Sequence, residues 1–410
     1  MISRLKFEMT DLVNQVLNRL PSYVFLSEKT TFADLQMGGA QFLLEVVQIL
    51  RKNGHSDENI SSRVFGFAEN EIYLRYVKEK YSHLPINFEL YNDNIKMKFD
   101  VICGNPPYQS NEDRNSKGNK VKSYKQPLWP LFVLKGLELL KPNGFLSLIT
   151  PMSWLAGTYD IRKGRVHLLN KFTSDFNLKY CNLDSEKIAK THFNGIGSTF
   201  SYFIVQNSPY EFDTVVDNKY GTHNMDMSKV KSIPLDPHPI KLSINSKTIN
   251  SDLEKFAFKS VTFKPDGKDT NSMSETHQIK GYCNGGQMGN TIFSYWEKPD
   301  KYYGKRKILI GKMDRTYLPF VDNEGLNIGQ NQLWYCEMRN EDIYETAIKI
   351  FNHPLYKFLI NSNKHGAGPE THLIYSLPKI DLSKIWTDEE IFKNFDLNEE
   401  EIDYIKRNVK

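Results

Sequence analysis

Cysteine is scarce in this chain. The four residues, Cys103, Cys181, Cys283 and Cys336, lie so far apart that no CxxC pair exists. That argues against a structural zinc site and a disulfide framework, and leaves reduced thiols as the expectation. The histidines form no His-Glu-x-x-His or other ligand spacing, so no metal is expected. Neither a P-loop nor a Gly-x-Ser-x-Gly nucleophile turn occurs. No apolar run is long enough to span a bilayer. The start, Met1-Ile-Ser-Arg-Leu-Lys6, lacks the apolar stretch of a signal peptide. A cytoplasmic protein without a membrane partner is expected. Net charge is low as well, +4. A nucleic-acid partner is permitted by that figure, not demanded, and a localised basic groove would have to supply the attraction.

What is present is enough chain for two ordinary domains, with an alternating first half. Thr30–Asp34 reads as a short buried strand running into a glycine turn, and Phe42–Leu50 carries apolar residues at helical spacing. A strand at 64–68, a helix at 72–81, a strand near 87–91 and another at 99–103 follow. An amphipathic helix at 131–140 is stopped by Lys141-Pro-Asn-Gly144, and Phe145–Thr150 is the next strand. This rhythm predicts an α/β fold, doubly wound around a mostly parallel sheet. Residues 109–125 read as a polar surface loop. The rhythm fades beyond Asn207, so a boundary is placed at 208–225, dividing the chain into 1–215 and 216–410.

Asn105-Pro-Pro-Tyr108 follows directly on a buried strand, where open α/β folds place their ligands. Two successive prolines remove two backbone donors and stiffen the turn. What remains are acceptors, the Asn105 side-chain oxygen and the Pro106 carbonyl. Two acceptors can hold both N–H bonds of an exocyclic amino group and enrich its nitrogen as it attacks an electrophilic methyl. Tyr108 offers a ring against which a planar base can stack.

The segment Lys98-Phe-Asp-Val-Ile-Cys-Gly-Asn-Pro-Pro-Tyr-Gln109 resembles the catalytic motif of the gamma-class N6-adenine DNA methyltransferases of restriction-modification systems. The resemblance implies a Rossmann-like methyltransferase sheet, S-adenosylmethionine as cofactor, double-stranded DNA as partner and a flipped-out adenine as substrate. It places Asn105, Pro106, Pro107 and Tyr108 at the chemistry. Phe32-Ala-Asp-Leu-Gln-Met-Gly-Gly-Ala-Gln-Phe42 resembles the family's cofactor loop, Asp-Pro-x-x-Gly-x-Gly-x-Phe. On that pattern Asp34, Gly38 and Gly39 approach the methionine part of the cofactor, and Ala40 replaces the second glycine. The ribose acid is expected just past the second strand, at Glu69 with Glu71 as the alternative. The residue reading the cofactor's adenine is expected at Asp93, with Asn92 and Asn94 equally polar neighbours. Thr10 is a good helix N-cap in a segment that, in the family, touches the cofactor carboxylate. Phe132 resembles the aromatic that flanks the cofactor's adenine; plain core packing is its rival. Phe193, in His192-Phe-Asn-Gly195, resembles the aromatic covering the flipped base opposite Tyr108.

Nearly half the chain follows, and DNA readout by a mixed α+β recognition domain accounts for its size. Lys301-Tyr-Tyr-Gly-Lys-Arg-Lys307 mixes cations with aromatics, so Lys305, Arg306, Lys307, Lys312 and Arg315 are candidate phosphate contacts. Polar stretches at 325–332 and 361–371 carry Asn and Gln suited to base edges. Two capped helices near the C-terminus read as scaffold. A restriction endonuclease partner would be a separate chain. Rival readings are amino-group methylation of RNA or of a protein glutamine, and a non-catalytic DNA-binding subunit of the same fold. The long C-terminal half counts against the glutamine enzymes, and the intact Asn105–Tyr108 motif against the inactive subunit.

Overall fold

Val64–Ala68 (β2) is buried along its whole length, as a strand covered on both faces of a parallel sheet must be. It pairs in parallel with Phe32–Asp34 (β1) and Asn87–Leu90 (β3). Phe99–Gly104 (β4) joins β1, and Leu140–Pro151 (β5) joins β4, both in parallel. The helices between them are Gln41–Lys52 (α2), Glu71–Lys80 (α3) and Trp129–Leu139 (α4), with Thr10–Leu17 (α1) in front. Four further strands complete a nine-stranded sheet: Asn177–Asn182 (β6), Phe200–Gln206 (β7), Thr214–Asn218 (β8) and Gly221–Met225 (β9). Its order is β9-β8-β6-β7-β5-β4-β1-β2-β3. Strand β7 is antiparallel to both β5 and β6, and β8 is parallel to β6. The carboxyl ends of β1 to β6 and β8 therefore share one edge. The protein is α/β with a large, mostly parallel sheet.

This computed structural model describes residues 10–108, 127–155, 158–161, 164–184, 188, 200–230, 240, 259–260, 270, 272–282, 293–311, 320–328, 333–337, 342–362, 377–378 and 380–409.

Helix α2 shows why the first unit holds together. Phe42, Leu43, Val46, Val47 and Leu50 form one apolar stripe and are buried with Leu12, Val13 and Val16 of α1 against Phe32, Val64, Val101 and Ile149. Each such side chain contributes about 1.5–3 kcal/mol by leaving water. On α4, Gly136 allows close approach to the sheet: a Cβ there would lie 2.6 Å from a Leu146 methyl.

Lys141-Pro-Asn-Gly144 does not end its neighbourhood as a free turn. It runs extended into β5, with Asn143 left-handed at φ 62°. A Cβ on Gly144 would meet the Asp100 and Phe99 carbonyl oxygens at 2.9 and 3.1 Å, and the β4–β5 register shifts between Phe99 and Val101. The segment is absorbed as an irregularity of the sheet because its glycine lets two backbones touch.

The chain divides into Met1–Lys231 and Ser232–Lys410. The sequence reading put the break at 215/216; the β8–β9 hairpin pairs onto the main sheet through β6 and so stays with the first unit. In the second unit a small sheet has Leu333–Glu337 paired antiparallel with Lys259–Ser260 and Lys307–Gly311, and Phe320–Asp322 at the far side of the latter. Helices include Asp388–Asn394 and Glu399–Asn408. Both begin with capping boxes, Thr387 with Glu390 and Asn398 with Glu401, so the two capped helices expected near the C-terminus are formed.

Candidate active site

Strands β1 and β4 are neighbours, and this brings the two sequence motifs together. Asp34 ends β1 and is buried; its Oδ1 accepts from the Gln36 backbone N–H at 3.1 Å. Burial pushes its carboxyl up to about 7, with the Gln36 bond opposing. Its charge and the surrounding apolar packing push the Cys103 thiol up as well, burial first. Gly104 closes β4, and a Cβ there would lie 2.6 Å from Asp34 Oδ1. The residue before Asn105 is thus glycine because the Asp34 carboxyl occupies the place of a side chain.

Asp34, Gln36, Gly104, Pro106 and Phe132 line one narrow cleft, together with Leu35, Ile102 and Leu148. Of the residues singled out in the sequence, Asp34, Pro106 and Phe132 meet here. Gly38 is left-handed at φ 46° with open space where a Cβ would be, as expected of a turn passing close to a ligand. Gly39 is crowded by the Gln41 side chain. Ala40, standing where the family pattern has glycine, is left-handed at φ 61° and caps α2.

Glu69 lies just beyond β2 and accepts from Gln36 Nε2 at 3.2 Å and from Asn70 Nδ2 at 3.1 Å. It is tied to the loop that carries Asp34. Glu71 opens α3 and is exposed. Past β3, Tyr91 Oη donates to Asp93 Oδ1 at 3.5 Å, and the Tyr91 ring lies 5.6 Å from that of Phe132. Burial, then the Asp93 charge, pushes the Tyr91 phenol up to about 12. Lys135 on α4 donates to the Asp93 carbonyl at 3.1 Å. The Asn92 side chain is engaged by the Asn94 backbone N–H.

In the Asn105–Tyr108 loop, the Tyr108 phenol donates to Asn105 Oδ1 at 2.7 Å. Burial pushes that phenol far up. The Tyr108 ring packs on Phe200 at 5.4 Å with a 38° interplanar angle. The sequence reading set Tyr108 and Phe193 as two walls around a base. The Tyr108 ring contacts Phe200, and Phe193 lies outside the described residues. Thr10, read from the sequence as an N-cap, is itself the first described residue of α1, and only its backbone is described.

In the second unit the basic stretch is divided. Lys305 is exposed, and Arg306 Nε donates to Asn323 Oδ1 at 2.8 Å. Lys307 is a correction to the sequence reading. It is 1% exposed and donates to the Tyr302, Lys305 and Leu326 carbonyls, with Nζ 2.5 Å from Asp322 Oδ2. Neither Asp322 oxygen has an aligned hydrogen bond among the described residues, so the contact is a buried ion pair. Lys307, Ile308 and Leu309 are all buried, so both faces of the strand are covered and Lys307 is held inside the second unit. Lys312 and Arg315 lie outside the described residues. Among those described, no cluster of His, Cys, Asp and Glu could hold a metal, and no helix is long and apolar enough to cross a membrane.

Sequence reasoning missed Gln36, Gly104, Tyr91 and Phe200. Only Gly104 had a local signal, a glycine ending a buried strand; the others matter through neighbours far along the chain.

Fold and cleft together describe an α/β protein with a cleft at the carboxyl edge of its parallel strands, beside an Asn-Pro-Pro-Tyr loop. Residues 38–184 match the Eco57I restriction-modification methylase family, a span running from Gly38 through Glu69, Asp93, Asn105–Tyr108 and Phe132. The chain is 27% identical over 234 residues to an uncharacterized adenine-specific methylase of Mycoplasma pneumoniae, covering 55% of this chain. The match takes in 52% of that relative, so the chain spans about half its length. Among solved structures, it is similar to a type I restriction-modification methyltransferase subunit from Streptococcus thermophilus (17% identity, 55% of this chain and 52% of that one, TM-score 0.36). It is also similar to the type IIL restriction-modification enzyme MmeI in complex with DNA (10% identity, 92% and 64%, TM-score 0.46).

Proposed function

We propose that this chain is an S-adenosylmethionine-dependent DNA methyltransferase that methylates N6 of an adenine flipped out of duplex DNA. The observation that carries the reading is the junction of Asp34, Gly104 and Pro106: a buried acid and an acceptor-rich Asn-Pro-Pro-Tyr loop share one cleft. The match of residues 38–184, which hold Gly104 and Pro106, to a restriction-modification methylase family and the name of the Mycoplasma relative support it.

The described residues fit the cofactor. Asp34 presents a buried carboxyl to the cleft and suits a cationic amino acid moiety. The left-handed turn at Gly38 leaves room for close approach. Phe132 with Tyr91 offers an aromatic flank, Asp93 a polar neighbour, and Glu69 an acid within reach of ribose hydroxyls. When bound, S-adenosylmethionine supplies a methyl group already activated on a sulfonium, so the protein's share is position and electrostatics. Asn105 Oδ1 and the Pro106 carbonyl accept from the adenine amino group and favour its pyramidal, attacking form. With its two N–H bonds so held, the amino nitrogen would turn its lone pair towards the activated methyl, and after transfer one of those N–H protons would pass to solvent. Tyr108, braced by Phe200, steadies the base. The second unit would read DNA, with Lys305 and Arg306 against phosphates.

The test is methylation of duplex DNA with labelled cofactor, followed by nucleoside mass spectrometry. N6-methyladenine is expected, and Asn105→Ala should depress the single-turnover rate far more than DNA affinity. Only N4-methylcytosine, or no methylated base, would refute the assignment.

A further inference from the structure

Gln36 makes contact with both acids of the candidate site. Its backbone N–H donates to Asp34 Oδ1 at 3.1 Å, and its side-chain Nε2 donates to Glu69 Oε2 at 3.2 Å. The same residue lines the cleft with Asp34, Gly104, Pro106 and Phe132. Asp34 ends β1 and Glu69 follows β2, and the two strands are parallel neighbours. The loop after one strand therefore reaches across to the loop after the next.

The side-chain bond has one possible sense. A carboxylate has no hydrogen to give, so the carboxamide must turn its nitrogen, not its oxygen, towards Glu69. The other carboxylate oxygen, Oε1, accepts from Asn70 Nδ2 at 3.1 Å. Asn70 is itself fixed, because its Oδ1 caps α3 by accepting from the Tyr73 backbone N–H at 2.8 Å. Glu69 is thus held at both oxygens although it is exposed. Glu71, exposed in the first turn of α3, has no such pair of donors among the described residues.

The restraint has a consequence for binding. A free glutamate side chain has much rotamer freedom to lose, and ordering it on a ligand weakens affinity roughly two- to tenfold. Two neutral amides remove that freedom beforehand. Unlike a lysine or arginine partner, they leave the negative charge uncancelled, and each oxygen keeps lone-pair capacity for a further donor. What results is a preorganised acceptor for hydroxyl groups at the rim of the cleft.

We propose that Gln36 is a positioning residue that presents Glu69, and not Glu71, to the ribose hydroxyls of S-adenosylmethionine, so that the hydroxyl-dependent part of cofactor affinity runs through the Gln36 side chain. The identity of the ligand rests on the methyltransferase reading. Because the backbone of Gln36 holds Asp34 while its side chain holds Glu69, a substitution here should loosen the second acid and leave the first in place.

The experiment is calorimetric titration of the full chain with S-adenosylhomocysteine and with its analogue lacking both ribose hydroxyls. Wild type should bind the analogue roughly tenfold or more weakly, since a hydrogen bond to a charged group is lost. Gln36→Glu keeps the size of the side chain but sets a like charge against Glu69. It should weaken S-adenosylhomocysteine roughly tenfold and leave the affinity for the analogue unchanged. Gln36→Leu, which only removes the donor, should show the same pattern to a smaller degree, and should have no further effect in a Glu69→Ala background. Equal weakening of both ligands by the Gln36 variants would mean a general disturbance of the cleft and would overturn the proposal. So would an unchanged affinity for both, or a hydroxyl preference abolished by Glu71→Ala and not by Glu69→Ala. Wild type that binds neither ligand would overturn the methyltransferase reading and this proposal together; tight binding of S-adenosylhomocysteine with no effect at Gln36 would overturn this proposal alone.

Discussion

The Tyr108 phenol donates its hydrogen to Asn105 Oδ1 at 2.7 Å, so the acceptor expected to hold a substrate amino group is already anchored by its own motif. A carboxamide oxygen has two lone pairs, and one remains for the substrate. Tyr108→Phe should keep the ring on Phe200 and loosen Asn105, lowering the single-turnover methylation rate several-fold with little change in DNA affinity. Tyr108→Ala should also weaken capture of the base by about 1–3 kcal/mol and lower the melting temperature by leaving a void beside Phe200. Identical kinetics for Tyr108→Phe and wild type would show that the anchoring bond has no part in catalysis.

Asp34 sets a pH dependence. Its folded-state pKa is raised from 3.8 to about 7, so the neutral acid is the form the apo fold favours. Its contribution to stability is fully present below about pH 4 and is lost as pH rises through about 7. Three pKa units correspond to roughly 4 kcal/mol. Asp34→Asn should therefore stabilise the apo protein more at pH 8 than at pH 5, values that lie on either side of about 7, by thermal melts at both. Cofactor binding should have the opposite slope in wild type, because a cationic ligand favours the ionised acid. Calorimetry in buffers of different ionisation enthalpy should detect a proton released on binding; pH-independent affinity would contradict this role.

Ala40 holds a left-handed conformation at φ 61°, which costs an alanine about 1–2 kcal/mol. Ala40→Gly removes that strain and adds about 0.4–1 kcal/mol of unfolded-state entropy. The net expectation is a gain of up to about 1.6 kcal/mol in denaturant unfolding, with cofactor affinity retained. A clear loss of stability would mean that the alanine methyl, which is buried, contributes more by packing than the strain costs.

Neighbouring basic residues should behave in opposite ways. Replacing Lys305 and Arg306 together by alanine should weaken DNA binding and flatten its salt dependence, since fewer phosphates are neutralised and fewer counterions are released. Lys307→Met should instead destabilise the fold by about 3–5 kcal/mol, because it strands the Asp322 carboxylate without its buried partner. Salt-titrated DNA affinities beside melting curves separate the two. A Lys307→Met protein that is fully stable but fails to bind DNA would reverse the assignment.

Much of this molecule is fixed by local rules that any stretch of the chain obeys. The buried strand Val64–Ala68, the helix over 71–80, the two capping boxes near the C-terminus and the stiff acceptor loop Asn105–Tyr108 depend on residues a few positions apart. They could be read before any fold was known. Tertiary structure decided what depends on distant neighbours. Placing β1 beside β4 set the Asp34 carboxyl against Gly104 and made both motifs one cleft. Phe200, far along the chain, packs on the Tyr108 ring. A strand covered on both faces and the buried partner Asp322 took Lys307 out of the basic surface. Burial, charge and hydrogen-bond partners are properties of where a side chain ends up, and a one-dimensional pattern cannot hold them.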